Sequence, residues 1–253
     1  AADSTLFYQH MEGQNLQAIK KGTSEAKPLS ASFWVRSNLT GTATVELVDN
    51  DTSSYRTCSQ SYTINSANTW ERKTVTFPAD TTGPFDNDNA SSMYFAFWLV
   101  AGSNYTGGTL ATSWEGLTNA NRAVGQTINI GSSTDNEFYI TGVQLEIGQN
   151  ATEFEHEPFD VTLNKCYRYF LSVARVRGSA RGSATGGQQL ASSFGVPVQM
   201  RAAPTVSHVD VERSGCSHEG YTNVNANHIG VMVDVSSTSY WYYNDGFKAE
   251  AEL

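Results

Sequence analysis

The chain has 253 residues, enough for one large or two small domains with a buried core. Hydrophobic residues make up 39% of it and charged residues only 16%, a composition typical of globular, turn-rich β proteins in which Ser, Thr, Asn and Gly replace charged side chains. The net charge is −9, with 18 acidic and 8 basic side chains in residues 1–160, which argues against nucleic acid as a partner because phosphates would be repelled.

Extended segments with alternating side chains dominate the first 150 residues. In Ser30–Arg36, the side chains of Ala31, Phe33 and Val35 share one face, and those of Trp34 and Arg36 the other. The run 93–100 is apolar throughout, which indicates a strand covered on both faces. Together with turn-rich intervals, the pattern predicts an antiparallel sandwich. Its remaining strands are predicted at 42–48, 72–77 and 137–147, the last with Val143, Leu145 and Ile147 facing inward.

Helix signals are few and short. Leu16 and Ile19 share one face of the segment Gln14–Lys21, and Asp160 is predicted to cap a helix that carries Leu163, Cys166 and Tyr167. No segment approaches the roughly 18 apolar residues of a membrane helix, so no membrane insertion is expected. A second β region follows, with strands predicted at 169–176, 193–198, 204–211, 229–235 and 240–252 and a glycine-rich loop at 177–189.

The balance of charge changes near residue 160. Residues 161–253 carry 8 basic and 7 acidic side chains, against the strong acidic excess before them. We therefore place the domains at 1–157 and 158–253. The three cysteines are predicted to be free thiols, with a Cys166–Cys216 bridge left as the alternative.

Several sequence blocks resemble one family of phage structural proteins. The first is Ile140-Thr141-Gly142-Val143-Gln144-Leu145-Glu146-Ile147-Gly148, followed by Ala151-Thr152-Glu153-Phe154-Glu155. Others in the same order are 12–16, 29–37, 68–75, 80–83, 166–170, 196–206 and 247–253. They are similar to bacteriophage tail-fibre and receptor-binding proteins with a carbohydrate-binding-module-like jelly roll and a small C-terminal β domain.

The resemblance implies a fold and a role. It implies a mainly β chain, with a jelly-roll β-sandwich over 1–157, a smaller β-sandwich-like tip domain over 158–253, and few short helices. Relatives carry further strands before the segment Phe7–Gly13, so either this chain is a fragment or the missing edge comes from another subunit. The resemblance also implies a homo-oligomer, expected to be a trimer, in the virion after synthesis in the host cytoplasm.

Aromatic residues on the faces opposite the core are the candidate glycan site. Trp34 and Arg36 share a face of one strand, as Tyr94 and Trp98 do of another, and neighbouring strands would join them into a platform for sugar rings. Gln144 is a candidate donor to sugar hydroxyls. The alternative is that loops cover the sheet and the rings are core. Near the chain end, alternation would also expose Trp241 and Tyr243.

Two acidic loops are candidate calcium ligands. One contains Asp49 and Asp51, and the other Asp86 and Asp88; clustered carboxylate oxygens suit a structural Ca²⁺. Turns rich in Asp and Asn without metal are the alternative. No other cofactor is expected.

Three functions are compatible with these observations. The first is a non-catalytic adhesin that binds host-surface polysaccharide or lipopolysaccharide during adsorption. The second is a purely structural fibre or decoration subunit that contacts other virion proteins. The third is a polysaccharide depolymerase, although no local catalytic motif supports it.

Overall fold

The computed structural model describes residues 3–181, 188–235 and 240–252. The chain divides into two compact units, residues 1–155 and 156–253. Each has its own hydrophobic core. No helix in the described ranges is long and apolar enough to cross a membrane.

The first unit is built from eight strands and two very short helices. The strands are β1 (Ser4–Glu12), β2 (Leu29–Ser37), β3 (Gly41–Asp49), β4 (Arg56–Ile64), β5 (Glu71–Phe77), β6 (Ser91–Ala101), β7 (Glu115–Gly116) and β8 (Phe138–Ile147). The helices are α1 (Gly13–Leu16), which continues as a 3₁₀ turn over Gln17–Ile19, and α2 (Ser103–Thr106). Further 3₁₀ turns lie at Asn119–Asn121 and Ile130–Ser132.

These strands form two antiparallel sheets that enclose one core. The larger sheet has the order β1-β6-β3-β4-β7 and the smaller one the order β5-β2-β8. Phe33 of β2 contacts Phe97 of β6 and Tyr62 of β4 edge-to-face, with ring centroids 4.9 and 5.0 Å apart. Alternation along each strand therefore supplies a two-layer interior, as predicted.

A bulge changes the phase of β8. Phe138 and Ile140 pack against the core, but so does Leu145, which has the opposite parity in sequence. The register against β2 shifts between Ser32 and Trp34, and Gly142 has a left-handed φ of +57°. Leu145 packs against the core, as predicted. Ile147 shares its parity and pairs with the buried Leu29, but Ile147 and Val143 are about two-fifths exposed, so neither is buried as a core residue would be.

The outer face of the larger sheet is covered by the loops that follow β6. Glu46 of β3 is fully buried there, and its carboxylate accepts hydrogen bonds from Arg122, Thr57 and Trp98. Tyr105 of α2 packs on Trp98, with ring centroids 5.1 Å apart. The predicted double covering of β6 is confirmed, because this outer layer meets the side of β6 that faces away from the core.

The second unit is a smaller β assembly. After α3 (Phe159–Tyr167) come β9 (Phe170–Arg181), β10 (Gln188–Gly195), β11 (Thr205–Ser214), β12 (Cys216–Asn225), β13 (His228–Val235) and β14 (Tyr240–Glu250). They form the antiparallel sheets β10-β13-β12 and β11-β14-β9. Both sheets contribute to one core, with Leu171 and Phe247 from the second and Ile229 from the first.

The predicted fold class is confirmed: the described chain is mainly β, with antiparallel sheets and few short helices.

Sequence alternation missed β1, β4 and β12. In β4 the inward Cys58, Tyr62 and Ile64 alternate with small polar residues, so no continuous apolar signal exists. The predicted loop 177–189 is strand at both ends, and its middle, 182–187, lies outside the described residues. The prediction that Asp160 caps a helix was wrong: it lies in the first turn of α3, whose N-cap is Pro158.

All three cysteines are free, as predicted. Cys58 is fully buried in the sandwich, and burial raises the pKa of its thiol to about 12. Cys216 donates from Sγ to the carbonyl of Tyr242 at 3.1 Å. Cys166 is exposed on α3. Since thiolate fraction and access set the reaction rate, the three thiols differ in reactivity.

Labelling of the native protein with Ellman's reagent at pH 8 should show one fast thiol, Cys166, while Cys58 should react only after unfolding. Cys166→Ser should abolish the fast phase, and Cys58→Ser should leave it unchanged. A native protein with no fast thiol, or a fast phase removed by Cys58→Ser, would contradict this assignment.

Candidate functional site

The outer face of the smaller sheet carries three exposed aromatic rings and one arginine. We call this group the aromatic face: Trp34, Trp70, Tyr139 and Arg36. Trp34, Trp70 and Tyr139 are 40%, 44% and 42% exposed. Large aromatic side chains at such exposure, gathered on one face, are typical of a binding surface.

Strand register brings these side chains together. Trp34 of β2 lies opposite Thr141 of β8 and Arg72 of β5, and Arg36 lies opposite Tyr139. Trp70 directly precedes β5. Because of the phase change at Gly142, Tyr139 lies on the outer face although Leu145 is directed to the core. Two strands, β2 and β8, and the residue that precedes β5 thus supply one surface.

The contacts on the face hold Arg36 in a defined position. Its Nε donates to the carbonyl oxygen of Asn68 at 3.0 Å, and its guanidinium carbon lies 5.3 Å from the centroid of the Tyr139 ring. Tyr139 and Trp70 are neighbours, with ring centroids 6.5 Å apart and planes inclined at 56°. Arg36 therefore lies beside an aromatic pair.

One side of the aromatic face is bounded by residues 149–155, which we call the crossing segment. A Cβ at Gly142 would lie 3.3 Å from Trp34 and 3.7 Å from Phe154, so both rings border the bulge. Thr76 donates to the carbonyl of Gln149 at 3.0 Å, and Arg72 donates to that of Thr152. The segment is fastened to the sheet rather than loosely laid over it.

Gln144 has a different role from the one predicted. Its Nε2 donates to Glu146, and its Oε1 accepts a hydrogen bond from the backbone N–H of Glu155 at 2.8 Å. These bonds engage both ends of the amide in holding the crossing segment. Gln144 is thus a structural residue at the border of the face.

The two carboxylates that flank this sheet are held in the ionised form. Hydrogen bonds from Lys73 and from the backbone of Ser66 and Asn65 lower the pKa of Glu71 to about 2. Hydrogen bonds from Gln144 and Thr152 lower the pKa of Glu146. A general acid in glycoside hydrolysis needs a raised pKa, so neither carboxylate suits that role.

Tyr94 and Trp98 do not join Trp34 and Arg36. The first pair lies on β6 of the larger sheet and the second on β2 of the smaller sheet, with the core between them. Trp98 is only 1% exposed and donates from Nε1 to Glu46 at 3.0 Å. Tyr94 accepts a hydrogen bond from Arg122 at 3.1 Å. The predicted single platform was wrong, because β2 and β6 belong to different sheets.

The second predicted aromatic site lies at Trp241 and Tyr243 in β14. Both residues belong to the backbone pairing of that strand with β9. Their side chains fall outside the part of the chain that the structure describes. The prediction that alternation exposes them stays a prediction.

The expected calcium ligand set is not formed. The two acidic loops do meet, but Asp51 accepts the backbone N–H of Asp86 and Asp88 accepts that of Ala90. In the described ranges, no three His, Cys, Asp or Glu side chains are arranged to hold a common metal ion. The carboxylate of Asp49 instead contacts the ammonium group of Lys21 at 2.6 Å.

Lys21 is the buried cation of this region. Its Nζ lies 2.6 and 3.2 Å from carboxylate oxygens of Asp49 and Asp80, and donates to the carbonyls of Thr82 and Gly83 at 2.8 and 2.6 Å. Its side chain is 2% exposed. Asp80 also pairs with Arg56 through two hydrogen bonds. An ammonium group among four oxygens therefore already neutralises Asp49.

Two residues of the aromatic face were missed in the sequence. Trp70 lies outside the alternating stretch of β5, and Tyr139 belongs to the half of β8 whose phase the bulge reverses. The signal for Tyr139 was Gly142, since a glycine inside a strand marks a bulge. For Trp70 the signal was its position between the turn at Asn68, with a φ of +57°, and β5.

Comparison with known proteins gives little. No protein-family model and no curated protein matches the chain. Among solved structures, discoidin II of Dictyostelium discoideum is similar at 9% identity over 91% of this chain and 76% of that chain, with a TM-score of 0.25. At that TM-score the superposition does not establish a common fold.

Replacement of Lys21 by Met should lower the free energy of unfolding by about 3–5 kcal/mol, because it leaves buried carboxylates without their cation. The matched control is Lys20→Met, whose exposed ion pair with Glu25 contributes at most about 1 kcal/mol. Urea unfolding followed by tryptophan fluorescence measures both. Equal losses in the two variants would show that the Lys21 site is not a stabilising element.

Proposed function

We propose that the chain is a non-catalytic glycan-binding module of a bacteriophage tail fibre, acting in the virion to bind host-surface polysaccharide or lipopolysaccharide. The observation that carries the proposal is the aromatic face. A pyranose presents an apolar face that stacks on an exposed indole or phenol ring, while polar side chains at the border bond its hydroxyls.

The assignment to a phage fibre draws on the sequence blocks that resemble tail-fibre proteins. Those blocks include Trp34 and Arg36 in 29–37, Trp70 in 68–75, most of β8 in 140–148, and part of the crossing segment in 151–155. The resemblance and the exposed surface therefore concern the same part of the chain. This agreement favours a receptor-binding role over an unrelated one.

A binding role is favoured over a depolymerase. Glu71 begins β5 and Glu146 lies on β8, and hydrogen bonds keep the pKa of each below its ordinary value. A carboxyl group that must donate a proton to a leaving group needs the opposite shift. Neither of these two carboxylates therefore suits the role of general acid.

The alternative of a structural virion subunit has its own support in β1. This edge strand pairs only with β6 among the described residues, and Ser4–Met11 contains no Lys, Arg, Asp or Glu. Phe7 and Tyr8 are 56% and 53% exposed on its two sides. Edge strands without charge favour association, so we include self-assembly through β1, as a trimer, in the proposal.

Trp34→Ala and Trp70→Ala should each weaken glycan binding about tenfold, the equivalent of about 1.4 kcal/mol of lost stacking. A glycan array of host envelope polysaccharides identifies the ligand, and calorimetry measures the variants. Tyr55→Ala, which removes a ring 51% exposed in the turn between β3 and β4, is the control. Trp98→Ala is unsuitable, because it removes a buried ring whose Nε1 donates to Glu46. Wild-type affinity in both Trp variants, with their folds intact, would refute the role of the face.

Self-association should appear in light scattering as a mass three times that of the chain. Phe7→Lys should shift the protein to the monomer, because it places repelling charges at the edge of β1. Tyr55→Lys adds the same charge to an equally exposed ring elsewhere and should leave the mass unchanged. A monomeric wild-type protein would remove the oligomer from the proposal.

A further inference from the structure

We propose that the glycan bound by the aromatic face is acidic, a uronic-acid-containing saccharide whose carboxylate pairs with Arg36. The inference rests on the proposed function and adds the chemical class of the ligand. The observation behind it is which basic side chains of the first unit form ion pairs with the chain's own carboxylates and which do not.

Most of those basic side chains are committed to carboxylates of the chain itself. The ion-paired ones are Lys20, Lys21, Arg56, Lys73 and Arg122. Within residues 3–155, Arg36 has no carboxylate within 4.0 Å, although the unit has a large excess of acidic residues. A guanidinium group without an anion at an exposed aromatic surface is the expected arrangement for an anionic ligand.

The hydrogen bond made by Arg36 uses Nε and leaves the two Nη groups available to a ligand. Nε is used by the carbonyl of Asn68, which fixes the plane of the group beside Tyr139. Neither Nη of this guanidinium donates a hydrogen bond to an acceptor among the described residues. Paired Nη donors match the two oxygens of a carboxylate, a geometry that Lys does not reproduce.

The neighbouring arginine contributes less. Arg72 of β5 donates to the carbonyl of Thr152, and its charge helps to keep Glu146 ionised. It is therefore partly neutralised by the protein. Arg36 is the cation of the face that remains for a ligand.

The rings beside Arg36 define what kind of carboxylate fits. Trp70 and Tyr139 offer apolar faces, and a hexuronate combines an apolar ring face with a carboxylate at the ring edge. A free inorganic anion would gain nothing from the rings. Because the first unit is strongly acidic, its net charge repels anions in general, so the local contacts with Arg36 and the rings must outweigh that repulsion.

The test measures calorimetric binding of hexasaccharides from polygalacturonate, alginate and hyaluronate, each also in a form whose carboxylates have been reduced to alcohols. At least one acidic hexasaccharide should bind, and its reduction should weaken binding about ten- to hundredfold, the loss expected for a charge-assisted bidentate contact. Arg36→Gln should cause the same loss for the acidic form and little change for the reduced form. Arg36→Lys should fall between wild type and Arg36→Gln.

Lys27→Gln is the matched control, since it removes one positive charge from an exposed side chain away from the face. It should leave all affinities unchanged. If reduced and acidic forms bind equally, and Trp34→Ala abolishes both, the acidic ligand is refuted and the glycan-binding function stands. If inorganic phosphate competes as well as the saccharide, a general anion site replaces the uronate. If neither these saccharides nor host envelope glycans bind, both proposals fail.

Discussion

One buried ion pair, between Glu46 of β3 and Arg122, holds the cover on the outer side of the larger sheet. Arg122 binds both carboxylate oxygens of Glu46 at 2.8 Å, and Thr57 and Trp98 each donate to that carboxylate. A carboxylate buried this deeply is tolerated only when its charge is paired and its lone pairs are used. The pairing fastens the loops after β6 over the larger sheet. That sheet is thereby closed to large ligands along β3 and β6, and the smaller sheet keeps its open side.

Alternation in the sequence predicted five strands of the first unit, β2, β3, β5, β6 and β8, and the parity of side chains in β2 and β6. Phe33 is core and Trp34 is outer, and Trp98 lies, as predicted, on the side of β6 opposite the core. Local pattern could not show that this outer side is covered, because the cover depends on Arg122, distant in sequence from Glu46. Nor could it show which strands are neighbours, since β2 and β6 are placed in separate sheets by the order in which the chain crosses between layers.

The two buried ionic groups explain why acidic residues were poor guides to function. Glu46 and Asp49 follow each other closely on β3, yet one binds a guanidinium and the other an ammonium group. Both carboxylates are fully buried. In the sequence, Asp49 in an Asp- and Asn-rich loop has the pattern of an oxygen ligand for a metal. In the fold, the ammonium group of Lys21 lies beside Asp49, where the metal ion would be. Only the tertiary structure makes that apparent.

The bulge at Gly142 lets β8 direct even-numbered residues to the core before it, Phe138 and Ile140, and the odd-numbered Leu145 after it. One extra residue in β8 reverses which side chains meet solvent downstream of it, without altering the partner strand. If the downstream half of β8 keeps its core contact through Leu145, removal of this one-residue insertion would turn Tyr139 inward and bring Phe138 or Ile140 to the surface. Ligand preference in such a sandwich is therefore open to change by length as well as by substitution.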